Sequence, residues 1–192
     1  MISPGVLLRA ARKSGNLTQD QLAQRTGVDQ ARVSRSEHDQ ESPRFATVDR
    51  LLSGSGHRLY AAPTRRDDAA TAAVRIRARL ERGDRHGALR HLLQLNDDLL
   101  AERGLVRGVL AVTAPESTGQ KVWDAAIAAL VSWRLGEEHV PLPGWVAEPS
   151  RRLLRSRVLR VDPADPAPAQ GDVPEEFLRH GVLAWRDTFA SV

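Results

Sequence analysis

Cysteine is absent from the 192 residues. That removes disulfides, thiolate metal ligands and a cysteine nucleophile, and it suits a reducing compartment. Lysine is nearly as scarce: Lys13 and Lys121 are the only two among 28 basic residues. GC-rich coding produces such an arginine bias without any functional cause. No apolar run approaches the roughly 18–20 residues that a membrane helix requires, so no membrane partner is expected. The opening Met1-Ile2-Ser3-Pro4-Gly5 lacks the apolar core and cleavage site of a signal peptide, so the expected location is the cytoplasm. Catalytic signatures are missing too. No His-Glu-x-x-His occurs, and His86 and His91 are spaced off the i, i+4 face that a helical metal pair needs. The adjacent acids at 67/68, 97/98, 137/138 and 175/176 point to different sides of a helix and make poor carboxylate dyads. No catalytic residue, metal or cofactor is expected.

What is present is an ordinary globular composition, 41% apolar and 27% charged, in a length that holds one domain or two small ones. The net charge of +4 is unevenly placed. Residues 1–65 carry ten Lys/Arg against six Asp/Glu, and residues 66–192 carry eighteen of each. The whole excess therefore lies in the first third. Such asymmetry is expected when one module meets a polyanion and the other meets protein.

The first third reads as short helices with explicit start signals. Ser3-Pro4 supplies an N-cap and a proline at the first helical position, ahead of Val6, Leu7, Ala10 and Ala11, and Gly15 stops the helix. Thr18-x-x-Gln21 is a capping box for a second helix that turns Leu22 and Ala23 inward and ends at Thr26-Gly27. Asp29 caps a third helix whose strong apolar residue is Val33. A polar loop, 38–43, precedes a fourth helix built on Phe45, Val48, Leu51 and Leu52. Two short helices about a glycine turn make a helix-turn-helix. Gly54-Ser55-Gly56 lacks the Gly-Lys-Ser/Thr of a phosphate loop and reads as a turn before an extended arm, 58–62.

The pattern Leu17-Thr18-Gln19-x-x-Leu22-Ala23-x-x-Thr26-Gly27-Val28-x(4)-Val33-Ser34-Arg35-x-Glu37 resembles the XRE, or phage-repressor (lambda-repressor-like), DNA-binding family, with the likeness spanning residues 4–62. The resemblance implies that the third helix enters the major groove. It places Gln30, Ala31, Arg32 and Arg35 against bases and Gln19 and Arg44 against phosphates. It also implies an ion pair, Arg12 with Glu37, between the first and third helices. The residue chemistry suits this assignment: arginine forks onto guanine, glutamine pairs with adenine, and an alanine methyl can meet a thymine methyl. Outside this pattern Arg32 and Arg35 would read as a solvated helix face. The chain departs from the family at Ser36, where an apolar residue usually closes the core. Acidic Asp29 works against phosphate attraction nearby.

Beyond residue 66 the reading is helical but matches no recognised family. The stretch 74–80 alternates as a strand would, yet Ala, Arg and Leu with an Asp start and a Gly stop favour helix. A second helix follows over about 84–103, then a short apolar piece, 105–112. Residues 122–135 are apolar on nearly every side, which marks a central helix wrapped by others or by a second subunit. Trp123 and Trp133 within it read as core before ligand cage. The strip Arg151–Arg160 admits three roles: a second phosphate contact, a docking strip for an acidic partner, or a solvated rim.

The expected fold is thus all-α, with a four-to-five-helix helix-turn-helix domain at 1–62 and a helical oligomerisation or partner domain at 66–161 carrying the apolar central helix. A Pro-rich linker, 162–172, and a docking tail, 173–192, complete it. The tail's Phe177, Trp185 and Phe189 need cover from their own domain, a partner or, as first choice, a symmetric twin. The expected function is a sequence-specific regulator, a repressor that binds double-stranded DNA at a palindromic operator as a homodimer. The alternative is an antitoxin whose C-terminal domain neutralises a partner toxin while the N-terminal domain represses their shared promoter.

Overall fold

The computed structural model describes residues 3–162 and 164–190. Positions 1–2 of the expected first domain, Pro163 of the expected linker and positions 191–192 of the expected tail lie outside the described residues. The chain divides into two compact units, Met1–Pro63 and Thr64–Val192.

In the first unit, local capping sets the helix starts. α1 (Pro4–Ser14) begins where Ser3 Oγ accepts from the N–H of Val6 at 3.2 Å. α2 (Gln19–Thr26) has the full reciprocal box: Thr18 Oγ1 accepts from Gln21 N at 3.1 Å, and Thr18 N donates to Gln21 Oε1 at 2.8 Å. Gly27 ends α2 at φ 65°, a left-handed conformation that costs glycine no Cβ clash. Asp29 Oδ1 then accepts from Arg32 N at 3.1 Å and opens α3 (Gln30–Glu37). α4 (Phe45–Gly54) starts without a side-chain cap. Leu8, Ala11, Leu17, Leu22, Val33, Val48, Leu51 and Leu52 close the core. Phe45, which the apolar spacing assigns to that core, stands 71% exposed. As the first residue of α4 it lies beyond the edge where Val48 begins the packing.

In the second unit, α5 (Ala69–Leu80) is a helix despite its alternating sequence. Asp68 accepts from Thr71 N at 2.7 Å to start it, and its buried residues Ala69, Ala72, Ala73, Ile76 and Leu80 fall at helical spacing. It pairs with α6 (Arg85–Ala101), capped by Asp84 on Gly87 N at 2.7 Å, and α7 (Gly104–Val112) follows. α8 (Lys121–Gly136) is buried on nearly every side, packed against α5, α6, α7 and α9 (Glu175–Arg179).

The tail belongs to this same unit. β1 (Arg157–Val158) pairs in parallel with β2 (Val182–Leu183), Arg157 opposite Val182. Phe177 and Phe189 lie 4.9 Å apart between centroids with their rings tilted by 43°, and Trp133 meets both edge-on at 6.3 and 6.2 Å. Buried Arg134 and Asn96 both donate to the carbonyl of Phe189, at 3.0 and 3.3 Å, which pins the last turn. Phe177 and Phe189 are therefore covered by their own unit. The symmetric twin, first choice from sequence, is not what buries them. Asp162 and residues 164–172 are mostly exposed and end in a short 3-10 turn, Gln170–Asp172. The arginine strip is also heterogeneous. Arg151 is buried, donating to the Pro115 carbonyl beneath the Trp145 ring, whereas Arg152, Arg155, Arg157 and Arg160 are exposed.

Candidate nucleic-acid interface

The helix-turn-helix is α2, the Gly27 turn and α3. α3 offers one face to the core through Val33, Ser36 and Glu37, the opposite face carries Ala31 and Arg35 with Arg32 on its flank, and Gln30 is exposed in the first turn, on the side of Glu37. This division follows from helical spacing, since residues 33, 36 and 37 lie one turn apart on one side. All four residues that the family resemblance assigns to bases are fully or partly exposed.

The base of α3 is anchored by a buried charge. Glu37 is 1% exposed. Its Oε1 accepts from Arg12 Nε at 2.6 Å and its Oε2 from Arg12 Nη2 at 2.8 Å, a fork-to-fork pair between α1 and α3. Arg12 also donates to the Leu17 carbonyl at 2.7 Å, and Arg9 donates to the Glu37 backbone carbonyl. Burial works against the charge on Glu37. The hydrogen bonds from Arg12 and Gln19, with the charges of Arg12 and Arg9, outweigh it and hold the carboxyl below its ordinary value.

From this anchor a hydrogen-bond chain runs outward. Gln19 Nε2 donates to Glu37 Oε2 at 2.9 Å, and Gln30 Nε2 donates to Gln19 Oε1 at 3.1 Å. Gln19 thereby links the buried pair to the first outward residue of α3 and fixes which way the Gln30 amide points. One N–H of each amide and the Gln30 carbonyl remain for an outside partner. Arg44, the other residue assigned to phosphate, is exposed at the start of α4, whose N–H groups lack a side-chain cap. Such a helix start attracts anions.

Sequence reasoning missed Glu41. It sits in the loop after α3 and holds both arginines of the outer face. Arg32 Nε reaches Glu41 Oε1 at 2.9 Å, and Arg35 Nε reaches Oε2 at 3.3 Å. The hydrogen bond from Arg32, followed by that from Arg35 and the two charges, keeps the Glu41 carboxyl below its ordinary value. Each guanidinium uses only its Nε there, so the Nη ends stay available. The only signal in the sequence is an acid a few residues past two arginines. Spacing across a loop does not say which way it folds back.

Ser36 is fully buried, and its hydroxyl has no hydrogen-bond partner among the described residues. The departure from the family pattern is therefore a polar atom placed in the core. No group of acids and histidines suited to a metal occurs among the described residues, nor does a helix long and apolar enough to cross a membrane.

A family model described as helix-turn-helix matches residues 8–54. These residues include α2, the turn, α3 and α4, and they coincide with the segment that resembles the XRE family. The first unit is a helix-turn-helix module of the XRE type, the DNA-binding part of a transcriptional regulator. No curated protein and no solved structure matches the chain.

Proposed function

We propose that the protein is a sequence-specific repressor that reads DNA with the outer face of α3. The observation that carries this reading is the geometry of that face. Ala31, Arg32 and Arg35 project from it, Gln30 stands at its first turn, and a buried Arg12–Glu37 pair relayed through Gln19 to Gln30 holds the helix. A short helix with a fixed base and polar tips is suited to entering the major groove end-first. Arg32 and Arg35 would fork onto guanine and Gln30 onto adenine, while Ala31 would meet a thymine methyl. Gln19 and Arg44 would meet phosphates beside the groove.

A single module of this kind covers roughly 600–1,000 Å². Useful specificity then comes from pairing two modules on a palindromic site, so the working form is a homodimer. The exposed residues Leu105, Val109 and Val112 share one face of α7 and offer apolar area for such pairing.

Selection of bound sequences from a random pool of double-stranded DNA tests this. It should return a palindrome with guanines in each half-site. Arg32→Ala and Arg35→Ala should each cost about 1–3 kcal/mol on the selected site, with circular dichroism unchanged. If both variants bind that site as tightly as the parent protein, α3 is not the reading helix.

A further inference from the structure

The second unit contains two cavities of opposite chemistry, and the DNA reading uses neither. The larger is lined by five arginines, of which Arg66, Arg75 and Arg79 are tied to Asp98, Asp67 and Asp84. The smaller, of about 310 Å³, has neither Lys nor Arg in its described lining, although the chain holds 28 of them. Its size is at the low end of the roughly 300–1,000 Å³ of small-molecule sites.

Nine of the twelve described residues around the smaller cavity are apolar, Leu89, Val158, Leu183 and Phe189 among them. Val158 stands opposite Leu183 in the β1–β2 pair, and Leu159 N donates to the Leu183 carbonyl at 2.9 Å. Arg134 and Asn96 grip the carbonyl of Phe189, and Leu89 comes from the first turns of α6. The walls are thus held by bonds that do not depend on an occupant.

Trp185 gives the cavity an aromatic rim. Phe177 and Phe189 of the same tail are 0% and 1% exposed, yet Trp185 is left 38% exposed. The neighbouring Arg186 is engaged elsewhere: its guanidinium donates to the Val173 carbonyl at 3.3 Å and lies 5.8 Å from the Trp133 ring centre. The polar lining residues are His86, Asp165 and Thr188, and Asp165 carries their single formal charge at pH 7. Asp165 makes no ion pair among the described residues. Its Oδ2 accepts from Asp162 N at 3.0 Å, and its N–H donates to the Asp162 carbonyl at 3.1 Å. These bonds fix the carboxylate and leave Oδ1 for an outside partner.

We infer that this cavity binds a small lipophilic cation, a ring bearing one protonated amine or quaternary ammonium group. The ring would rest on the apolar wall, and the cation would lie at the rim with the Asp165 carboxylate and the Trp185 ring. An apolar pocket whose one formal charge is negative favours a cation over a neutral or anionic molecule of the same shape. An aromatic ring at its rim adds attraction for ammonium groups. The site lies within residues 86–189 and stands whether or not α3 reads DNA.

Calorimetric titration of the full chain with 2-phenylethylammonium and with benzyltrimethylammonium tests it, using 2-phenylethanol, 3-phenylpropionate and ethylammonium as controls. At least one aromatic cation should bind saturably with a Kd below about 1 mM. The alcohol should bind about three- to fivefold more weakly, the carboxylate more weakly still, and ethylammonium, which lacks the ring, not at all. Asp165→Asn should lower the affinity for the cation about three- to fivefold and leave that for 2-phenylethanol unchanged. Trp185→Ala should weaken both aromatic ligands. Circular dichroism should show both variants folded. Arg32→Ala/Arg35→Ala should leave the affinity unchanged. No saturable binding of either cation, the alcohol or carboxylate binding as tightly, or a cation affinity untouched by Asp165→Asn would overturn the inference. Shielding of Trp185 from acrylamide only as the chain self-associates would give the cavity to a second copy and overturn it too.

Discussion

Glu37→Ala should strongly destabilise the first unit and leave the second unchanged. The carboxylate accepts two hydrogen bonds from Arg12 and one from Gln19, at 2.6, 2.8 and 2.9 Å. Its removal leaves the Arg12 charge, 12% exposed, against the Leu17 carbonyl in a site that admits little water. Breaking a buried pair from one side costs about 3–5 kcal/mol, because the remaining charge keeps its desolvation penalty. A unit of 63 residues, at roughly 0.05–0.15 kcal/mol per residue, has only about 3–9 kcal/mol of stability in total. One substitution therefore removes a third of the margin or all of it.

The position of the tryptophans makes the test clean. All four, Trp123, Trp133, Trp145 and Trp185, lie in the second unit, so their fluorescence follows that unit alone, whereas far-ultraviolet circular dichroism sums both. In Glu37→Ala the helical signal of α1–α4 should be lost or should melt well before the tryptophan transition, which should not move. Glu37→Gln keeps the shape and one acceptor oxygen and should fall between. The sign of the pH effect follows from the lowered carboxyl. Its contribution is complete above the ordinary value near 4.5 and is lost as pH falls through the lower folded value. The advantage of the parent protein over Glu37→Gln should therefore shrink below about pH 4.5. A Glu37→Ala protein whose dichroism melt overlays that of the parent would refute the argument.

Ser36→Ala should stabilise the first unit, since it removes a buried hydroxyl without a partner and improves helix propensity. A gain of about 1 kcal/mol would raise its dichroism transition by roughly 4–8 °C, and a lowered transition would show that the hydroxyl is satisfied. Glu41→Gln should tighten DNA binding roughly two- to fivefold at moderate salt, because Arg32 and Arg35 no longer leave a carboxylate to reach DNA. Weaker binding in a filter or anisotropy titration would mean that Glu41 positions the two arginines rather than competing for them.

The parts of this fold that local chemistry decides are the parts the sequence displays. Ser3, Thr18 with Gln21, Asp29, Asp68 and Asp84 each bond a backbone N–H within three residues, so a short window contains the whole interaction. The 74–80 segment was ambiguous only because its arginines alternate with apolar residues. Its core positions from Ala69 to Leu80 follow the helical period, and burial decides the outcome. What the sequence conceals is distance. The carbonyl of Phe189 meets Asn96 across 93 residues, and no periodicity connects them. Glu41 reaches Arg32 through a loop whose direction depends on the packing beneath it. The outer face of α3 was readable because a recurrent pattern surrounds it, yet the bonds that orient it, through Gln19, appear only in three dimensions.

The charge balance of the second unit shows how a total can hide a site. Residues 66–192 carry eighteen charges of each sign, and read as a sum this suggests a module without electrostatic preference. The acids, however, are spent unevenly. Glu137 and Glu138 face Arg107, and Glu137 also binds Arg134, while Glu175 pairs with Arg179. Asp162, Asp165, Asp172 and Asp187 are exposed and lie outside the arginine-lined cavity. The neutral total therefore hides a local excess at the cavity lined by Arg65, Arg66, Arg75, Arg79 and Arg90, whose only acids are Asp67 and Asp98. Screening over a Debye length of about 8 Å at physiological salt keeps distant acids from cancelling a local excess. Net charge by segment located the polyanion-facing module, because there the excess is spread over a surface. It could not locate a pocket, where the relevant quantity is the balance among side chains a few ångströms apart.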